Sequence, residues 1–200
     1  MIFLIGLGHI FQLEGYCLPG WNQQTYQSTY PNYGLNGPEV WKPFYQFLST
    51  EAQRIDADLL AEEMNEEELA LYADHGARDS VARRVALEQQ RKHLFINPDR
   101  KERERLGITK EQIREERYGQ AALTDEQYEE ICRLEFARRE NRWLQQIQSV
   151  SFHHCICIMG SKHIPTFPTL LSANRLDHSI LVANFTPKWF ASRPFSGSIM

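Results

Sequence analysis

Apolar residues form short runs near both ends of the chain, whereas the middle mixes apolar and charged positions at helical spacing. Residues 1–8 (MIFLIGLG) end in glycine, and residues 152–159 (FHHCICIM) are followed by glycine. Such runs are typical of strands buried on both faces, as in parallel sheets covered by helices. The same pattern predicts further strands at residues 58–63, 93–96 and 178–184.

Helical spacing of apolar residues predicts the remaining elements. These are helices over residues 41–55, 79–91 and 165–173, and a mostly helical region over 101–148. Gly107 and Gly119 are expected breaks in that region, and Thr124 opens a capping-box sequence (TDEQ) for the last long helix. Residues 16–38, rich in Gly, Pro, Asn, Gln and Tyr, are predicted to form a long loop.

Charged side chains are distributed unevenly along the chain. Residues 1–50 hold three of them and residues 149–200 hold five, so 40 of the 48 lie between. The two ends must therefore supply most of the interior, and their strands are expected to lie side by side. We predict an α/β fold with a mainly parallel central sheet flanked by helices. A single domain would span residues 1–200, with a charged helical insert at about 101–148.

Composition excludes several functional classes. With 200 residues, 42% hydrophobic, the chain can bury a core, and its net charge of −4 disfavours nucleic-acid binding. The longest apolar run, residues 1–7, is far shorter than the roughly 20 residues that cross a membrane and lacks signal-peptide features. We therefore expect a cytoplasmic protein without a membrane partner.

Two cysteines lie in the strand predicted over residues 152–159. Cys155 and Cys157 would share one face of that strand, which suits buried, reduced thiols.

The pattern Gly-x-x-His occurs twice, each time directly after a predicted strand, and ends at His9 and His163. Glu62 and Glu63 end another predicted strand. Because parallel strands bring their carboxyl ends to one edge, where open sheets bind ligands, these four side chains are candidate metal ligands. Imidazole nitrogens with carboxylate oxygens suit zinc or manganese. Arg139 would supply a positive charge for a developing oxyanion, and Glu62 or Glu63 a general base.

These motifs resemble the TraB/GumN/TIKI family and its EreA and ChaN relatives. Members carry two Gly-x-x-His motifs, an acidic position ending an early strand and, in the TraB-type branch, a helix of pattern Arg-Asn-x-x-Met-Ala-x-x-Ile before the second motif. Residues 139–147 (RENRWLQQI) match that helix, with Glu140 in place of Asn and Trp143 in place of Met. The order of the motifs agrees along the whole chain.

The resemblance implies a compact α/β fold with a metal site at the strand ends. Some relatives are metal-dependent proteases, some hydrolyse an antibiotic lactone ester and some bind haem, so the family does not define one reaction. The first hypothesis is a metal-dependent hydrolase that cleaves an amide or ester bond of a small-molecule or peptide substrate. The alternative is a non-catalytic protein of the same fold that binds haem or a peptide or acts as a regulator. A phage- or defence-associated scaffold is a third. The sequence leaves the oligomeric state open, with a homo-oligomer among the options.

Each candidate residue also has a structural explanation. His9 and His163 could be hydrogen-bonded histidines that cap strand ends. Glu62 and Glu63 could begin an acidic run that is exposed to solvent, and Arg139 could lie on the solvent-exposed face of a charged helix. The sequence alone leaves these alternatives open.

Overall fold

The structure is a computed structural model, and it describes residues 1–8, 11–15, 38–74, 76–108 and 125–187. Several expectations fall outside these ranges. They concern His9, the loop predicted before residue 38, Gly119 and the capping residue Thr124.

Five parallel strands form the central sheet: Ile2–Leu7 (β1), Leu59–Glu62 (β3), Lys92–Phe95 (β5), Cys155–Gly160 (β6) and His178–Phe185 (β7). Their order across the sheet is β5-β3-β6-β1-β7. A small antiparallel pair joins Leu13–Glu14 (β2) to Asp79–Ser80 (β4). The predicted mainly parallel α/β fold is therefore confirmed, and strands from both ends of the chain lie side by side.

Six α-helices in the described residues flank the sheet. They are Pro38–Ile55 (α1), Glu66–Ala73 (α2), Val81–Glu88 (α3), Arg100–Leu106 (α4), Asp125–Gln148 (α5) and Phe167–Ala173 (α6). One face of the sheet packs against α1 and α3, and the other packs against α5 and α6. Because both faces are covered, the strands are apolar throughout, which is why they appear as continuous runs in the sequence.

Several boundaries differ from the sequence-based expectation. The strand expected to begin at residue 152 begins at Cys155, because Asp58 accepts backbone hydrogen bonds from His153 and His154 before the sheet pairing starts. The helix expected from residue 79 begins at Val81, since Asp79 and Ser80 pair with β2.

Local signals explain the helix ends. The side chains of Asn65, Ser80 and Asp99 accept backbone N–H bonds at the start of α2, α3 and α4. Gly107 ends α4 with a φ of 65°, the left-handed conformation that favours glycine, as the sequence predicted. None of the helices in the described part of the chain is long and apolar enough to cross a bilayer.

Candidate functional site

The carboxyl ends of the five strands meet at one edge of the sheet, and three candidate residues lie together there. Glu63 directly follows β3, His163 ends a short 3₁₀ turn (Ser161–His163) after β6, and Arg139 lies on α5. The Nη1 atom of Arg139 is 3.3 Å from Oε1 of Glu63, and Nε2 of His163 is 3.6 Å from the same oxygen. This group, together with Glu140, is called the edge cluster below.

Glu63 is held in place by backbone as well as side-chain groups. Its Oε2 accepts a 2.7 Å hydrogen bond from the backbone N–H of Gly160, and its own N–H donates to the carbonyl of Ile158. The glutamate therefore spans β3 and β6 at their carboxyl ends. Its residue is 3% exposed, so the carboxylate is fixed inside the protein rather than solvated.

His163 is equally buried, at 3% exposure. The rings of Phe136 and Trp143 pack against its imidazole with centroid distances of 4.4 and 4.5 Å. Its Nδ1 lies 2.8 Å from Oε1 of Glu140, which also accepts a 2.5 Å hydrogen bond from the hydroxyl of Thr166. The imidazole is thus confined on its faces by aromatic rings and anchored at one nitrogen by a carboxylate.

Gly6, the first glycine of the first motif, makes the position of the 3₁₀ turn possible. A Cβ at residue 6 would lie 2.1 Å from the carbonyl oxygen of Ala183 and 2.6 Å from Cγ1 of Ile164. Only glycine leaves room for β7 and for the residue that follows His163. The glycine in this motif therefore has a packing reason that is independent of any ligand.

Two buried carboxylates lie in the edge cluster. Glu63 and Glu140 are both 3% exposed, and Arg139 contacts Glu63. Buried carboxylates are disfavoured unless they are paired and hydrogen-bonded. Gly160 and Arg139 supply such contacts to Glu63, and His163 and Thr166 supply them to Glu140.

Glu62 contacts a different set of residues. Its Oε1 accepts a hydrogen bond from the hydroxyl of Ser80 and lies 2.6 Å from Nε2 of His93. Side chains alternate along a strand, and Glu62 lies on the same face as Leu60, whereas Glu63 reaches α5 on the opposite face. The sequence grouped the two glutamates, but the structure brings only Glu63 to His163 and Arg139.

A metal centre was expected from His9, His163 and the two glutamates. Among the residues that the structure describes, no group of three His, Cys, Asp or Glu side chains is arranged to hold a metal ion. His9 lies outside those residues. Glu63 and His163 supply one carboxylate oxygen and one imidazole nitrogen 3.6 Å apart, a pair that suits zinc or manganese.

A groove of about 630 Å³ is lined by residues of α2, α4 and α5, and none of the four edge-cluster residues is among them. Its lining includes Asn65, which comes two positions after Glu63, and Arg142 and Gln146, one and two turns after Arg139 on α5. Arg142 is paired with Glu102 at 2.6 Å, so an ion pair joins α4 to α5 at this groove. The volume is in the range of small-molecule sites, roughly 300–1,000 Å³.

Sequence reasoning missed the partners of His163. In the sequence, Glu140 stands out only as a departure from the family pattern, and nothing marks Thr166 as a partner of His163. The helical spacing carries a signal that could have found them: Phe136, Glu140 and Trp143 lie at positions i, i+4 and i+7 and share one face of α5. A glutamate in such an apolar stripe indicates a buried partner.

Comparisons of the chain with protein-family models, with curated proteins and with solved structures found no match. The resemblance to the TraB/GumN/TIKI family therefore stays a prediction based on the motifs.

Proposed function

We propose that the protein is a hydrolase of amide or ester bonds whose site is the edge cluster, with a divalent zinc or manganese ion held by Glu63 and His163. The observation that carries the proposal is the relation between these two side chains. Oε2 of Glu63 accepts a hydrogen bond from the N–H of Gly160, and Nδ1 of His163 contacts Glu140. Oε1 of Glu63, which also contacts Nη1 of Arg139 at 3.3 Å, lies 3.6 Å from Nε2 of His163. This distance is too long for a hydrogen bond and suits two ligands of one ion, whose bonds to each are about 2.0–2.2 Å.

When bound, such an ion lowers the pKa of water to about 7 and polarises a substrate carbonyl. His9, which ends the first Gly-x-x-His motif, is the residue that the sequence offers as a further ligand.

The chain's own residues would bind and orient the substrate. Arg139 has a buried Nε with no hydrogen-bond partner among the described residues, so it retains a donor for a substrate oxygen while Nη1 contacts Glu63. A fixed guanidinium of this kind stabilises negative charge that develops on a carbonyl oxygen.

The test begins with the metal content of protein purified without a histidine tag, measured by inductively coupled plasma mass spectrometry. Near-stoichiometric zinc or manganese is expected in the wild type, and its loss is expected in His163→Ala and in His9→Ala. Folded wild-type protein that takes up neither zinc, manganese nor iron would contradict the proposal and favour a non-catalytic binding protein.

Arg139→Ala separates binding of the ion from turnover. Its metal content should stay at the wild-type level, whereas hydrolysis of chromogenic esters or fluorogenic peptides should fall about 10²- to 10³-fold, the typical effect of removing an oxyanion partner. Equal activity in the wild type and Arg139→Ala would exclude the arginine from the reaction.

A further inference from the structure

Glu140 has an unusual environment for a residue of α5. This helix carries many charged residues, and among those whose burial the structure describes only Glu135, at 4% exposure, and Glu140, at 3%, are buried. Carboxylates are rarely buried unless they are paired and hydrogen-bonded. The partners of Glu140 therefore explain why a carboxylate is present there.

Both partners belong to the segment that carries the second Gly-x-x-His motif. Oε1 of Glu140 contacts Nδ1 of His163 at 2.8 Å and the hydroxyl of Thr166 at 2.5 Å, and the backbone N–H of Thr166 donates to the carbonyl of His163. One carboxylate oxygen thus joins α5 to both ends of a short turn. The hydroxyl can donate to it, and the contact with Nδ1 requires a proton on that nitrogen, because a carboxylate only accepts.

We propose that Glu140 is a positioning residue that holds His163 in the tautomer with the proton on Nδ1, which leaves the lone pair of Nε2 directed toward Glu63. Free imidazole side chains have no comparable constraint, and the nitrogen that carries the proton is decided by the hydrogen bond of the other nitrogen. The rings of Phe136 and Trp143 already confine the imidazole, so the particular contribution of the carboxylate is to decide which nitrogen carries the proton.

Metal binding by this tautomer rests on the proposed function, but the preference of His163 for the tautomer does not. Histidines that bind metals usually donate their second N–H to a carboxylate or carbonyl, and loss of that partner typically weakens metal binding about 10- to 100-fold. The Glu140–His163 pair has this arrangement whether or not an ion binds.

The experiment is ¹⁵N nuclear magnetic resonance of histidine-labelled protein that has been stripped of metal with a chelator, at neutral pH. Wild-type His163 is expected to show a protonated Nδ1 and an unprotonated Nε2. Glu140→Ala should lose this preference and populate the Nε2-protonated form. Wild-type protein with Nε2 protonated, alone or together with Nδ1, would overturn the proposal even if no variant folds.

Two matched variants distinguish positioning from simple structural support. Thr166→Val removes the other hydrogen bond to the same carboxylate oxygen but leaves Nδ1 paired, so the tautomer should be unchanged. Glu130→Gln removes a charge from an exposed position of α5 and controls for net charge. If Thr166→Val shifts the tautomer as much as Glu140→Ala, the carboxylate is not the determinant and the proposal fails.

Titration of the stripped proteins with zinc chloride then separates this inference from the proposed function. Glu140→Ala should bind zinc about 10- to 100-fold more weakly than the wild type. Wild-type protein that has the expected tautomer but binds no zinc, manganese or iron contradicts the hydrolase proposal and leaves the role of Glu140 intact. Zinc binding with Nδ1 unprotonated contradicts the role of Glu140 and leaves the hydrolase proposal intact.

Discussion

Glu62 and Glu63 are adjacent in the sequence, yet their carboxyl groups lie on opposite faces of the sheet. Glu62 is bound by Ser80 and His93 beside α3, whereas Glu63 is bound by the N–H of Gly160 and by Arg139 of α5. The two-residue period of a strand causes this separation. Two neighbouring acids can therefore have independent roles, and substitutions should separate them.

We predict that Glu63→Gln abolishes metal binding and that Glu62→Gln does not. Glutamine at residue 63 removes an anionic ligand oxygen, while the same change at residue 62 affects hydrogen bonds to Ser80 and His93 on the other face. Metal content of both purified variants checks this. Equal metal loss in two folded variants would indicate that the glutamates act at one site after all.

Asp58 gives the protein a stability that depends on pH. Burial of its carboxyl group opposes ionisation, but the backbone N–H groups of His153 and His154 outweigh that effect and hold the pKa of Asp58 below its usual value. A group whose pKa is lowered by folding stabilises the protein above its unfolded pKa, about 3.9, and this contribution is lost as the pH falls through the lower folded pKa.

Asp58→Asn should therefore reduce the free energy of unfolding by about 1 kcal/mol at pH 7, after allowance for solvent screening of a partly exposed group. The difference from the wild type should shrink as the pH is lowered below about 4. Urea denaturation at several pH values measures both quantities. A difference that stays constant down to pH 2 would show that ionisation of Asp58 is not its source.

Residue-level chemistry was only partly predictable from the sequence. Glu63 and His163 were grouped because strand ends of a parallel sheet converge, and Arg139 was chosen from its place on the last long helix and from the motif resemblance. The importance of Glu140 could not be read in the same way, since its burial depends on the rotation of α5 against the sheet. A sequence rich in Arg and Glu determines that rotation weakly.

At the scale of elements, β1, β7 and the 3₁₀ turn depend on the absence of a side chain at Gly6. Gly6→Ala should cost about 3 kcal/mol, because the added methyl group would overlap a backbone carbonyl that cannot move independently of β7. For a chain of this length the melting temperature should fall by about 6–12 °C.

Gly8→Ala is the matched control for that substitution. Among the residues that the structure describes, a Cβ at residue 8 would meet the ring of Phe11 alone, at 3.7 Å, which is an ordinary contact. Its expected effect is within about 0.5 kcal/mol. Calorimetry of both variants makes the comparison, and similar losses from the two would mean that close approach at Gly6 is not the cause.

Strands were easier to predict than the helices around them. The buried strands are marked by continuous apolar runs, a direct result of covering both faces of a sheet. The helix Glu66–Ala73 was missed because its first turn contains three glutamates, which resemble a solvated loop. Those acids stabilise the helix start through the macrodipole, and Asn65 caps it, so the charge run was itself a helix signal.

For the whole molecule, β1 lies between β6 and β7, so the first strand in the sequence is paired with the last two. A chain cut between Val150 and Ser151 would place β1 in one piece and both of its neighbours in the other. We predict that neither piece folds alone and that the two assemble when co-expressed. Co-purification and circular dichroism test this, and cooperative unfolding of either isolated piece would contradict it.

The central strand β6 carries two buried thiols, and their reaction rate can report the binding of a ligand. Cys155 and Cys157 are fully buried there, and burial raises the pKa of both thiols, which suppresses the reactive thiolate. Alkylation at these two positions therefore requires the sheet to open, and its rate follows the population of the open form. A molecule that binds only the folded state lowers that population by the factor 1 + [L]/Kd. Protection of the two thiols, followed by mass spectrometry, would thus detect a substrate or metal ion without any knowledge of the reaction.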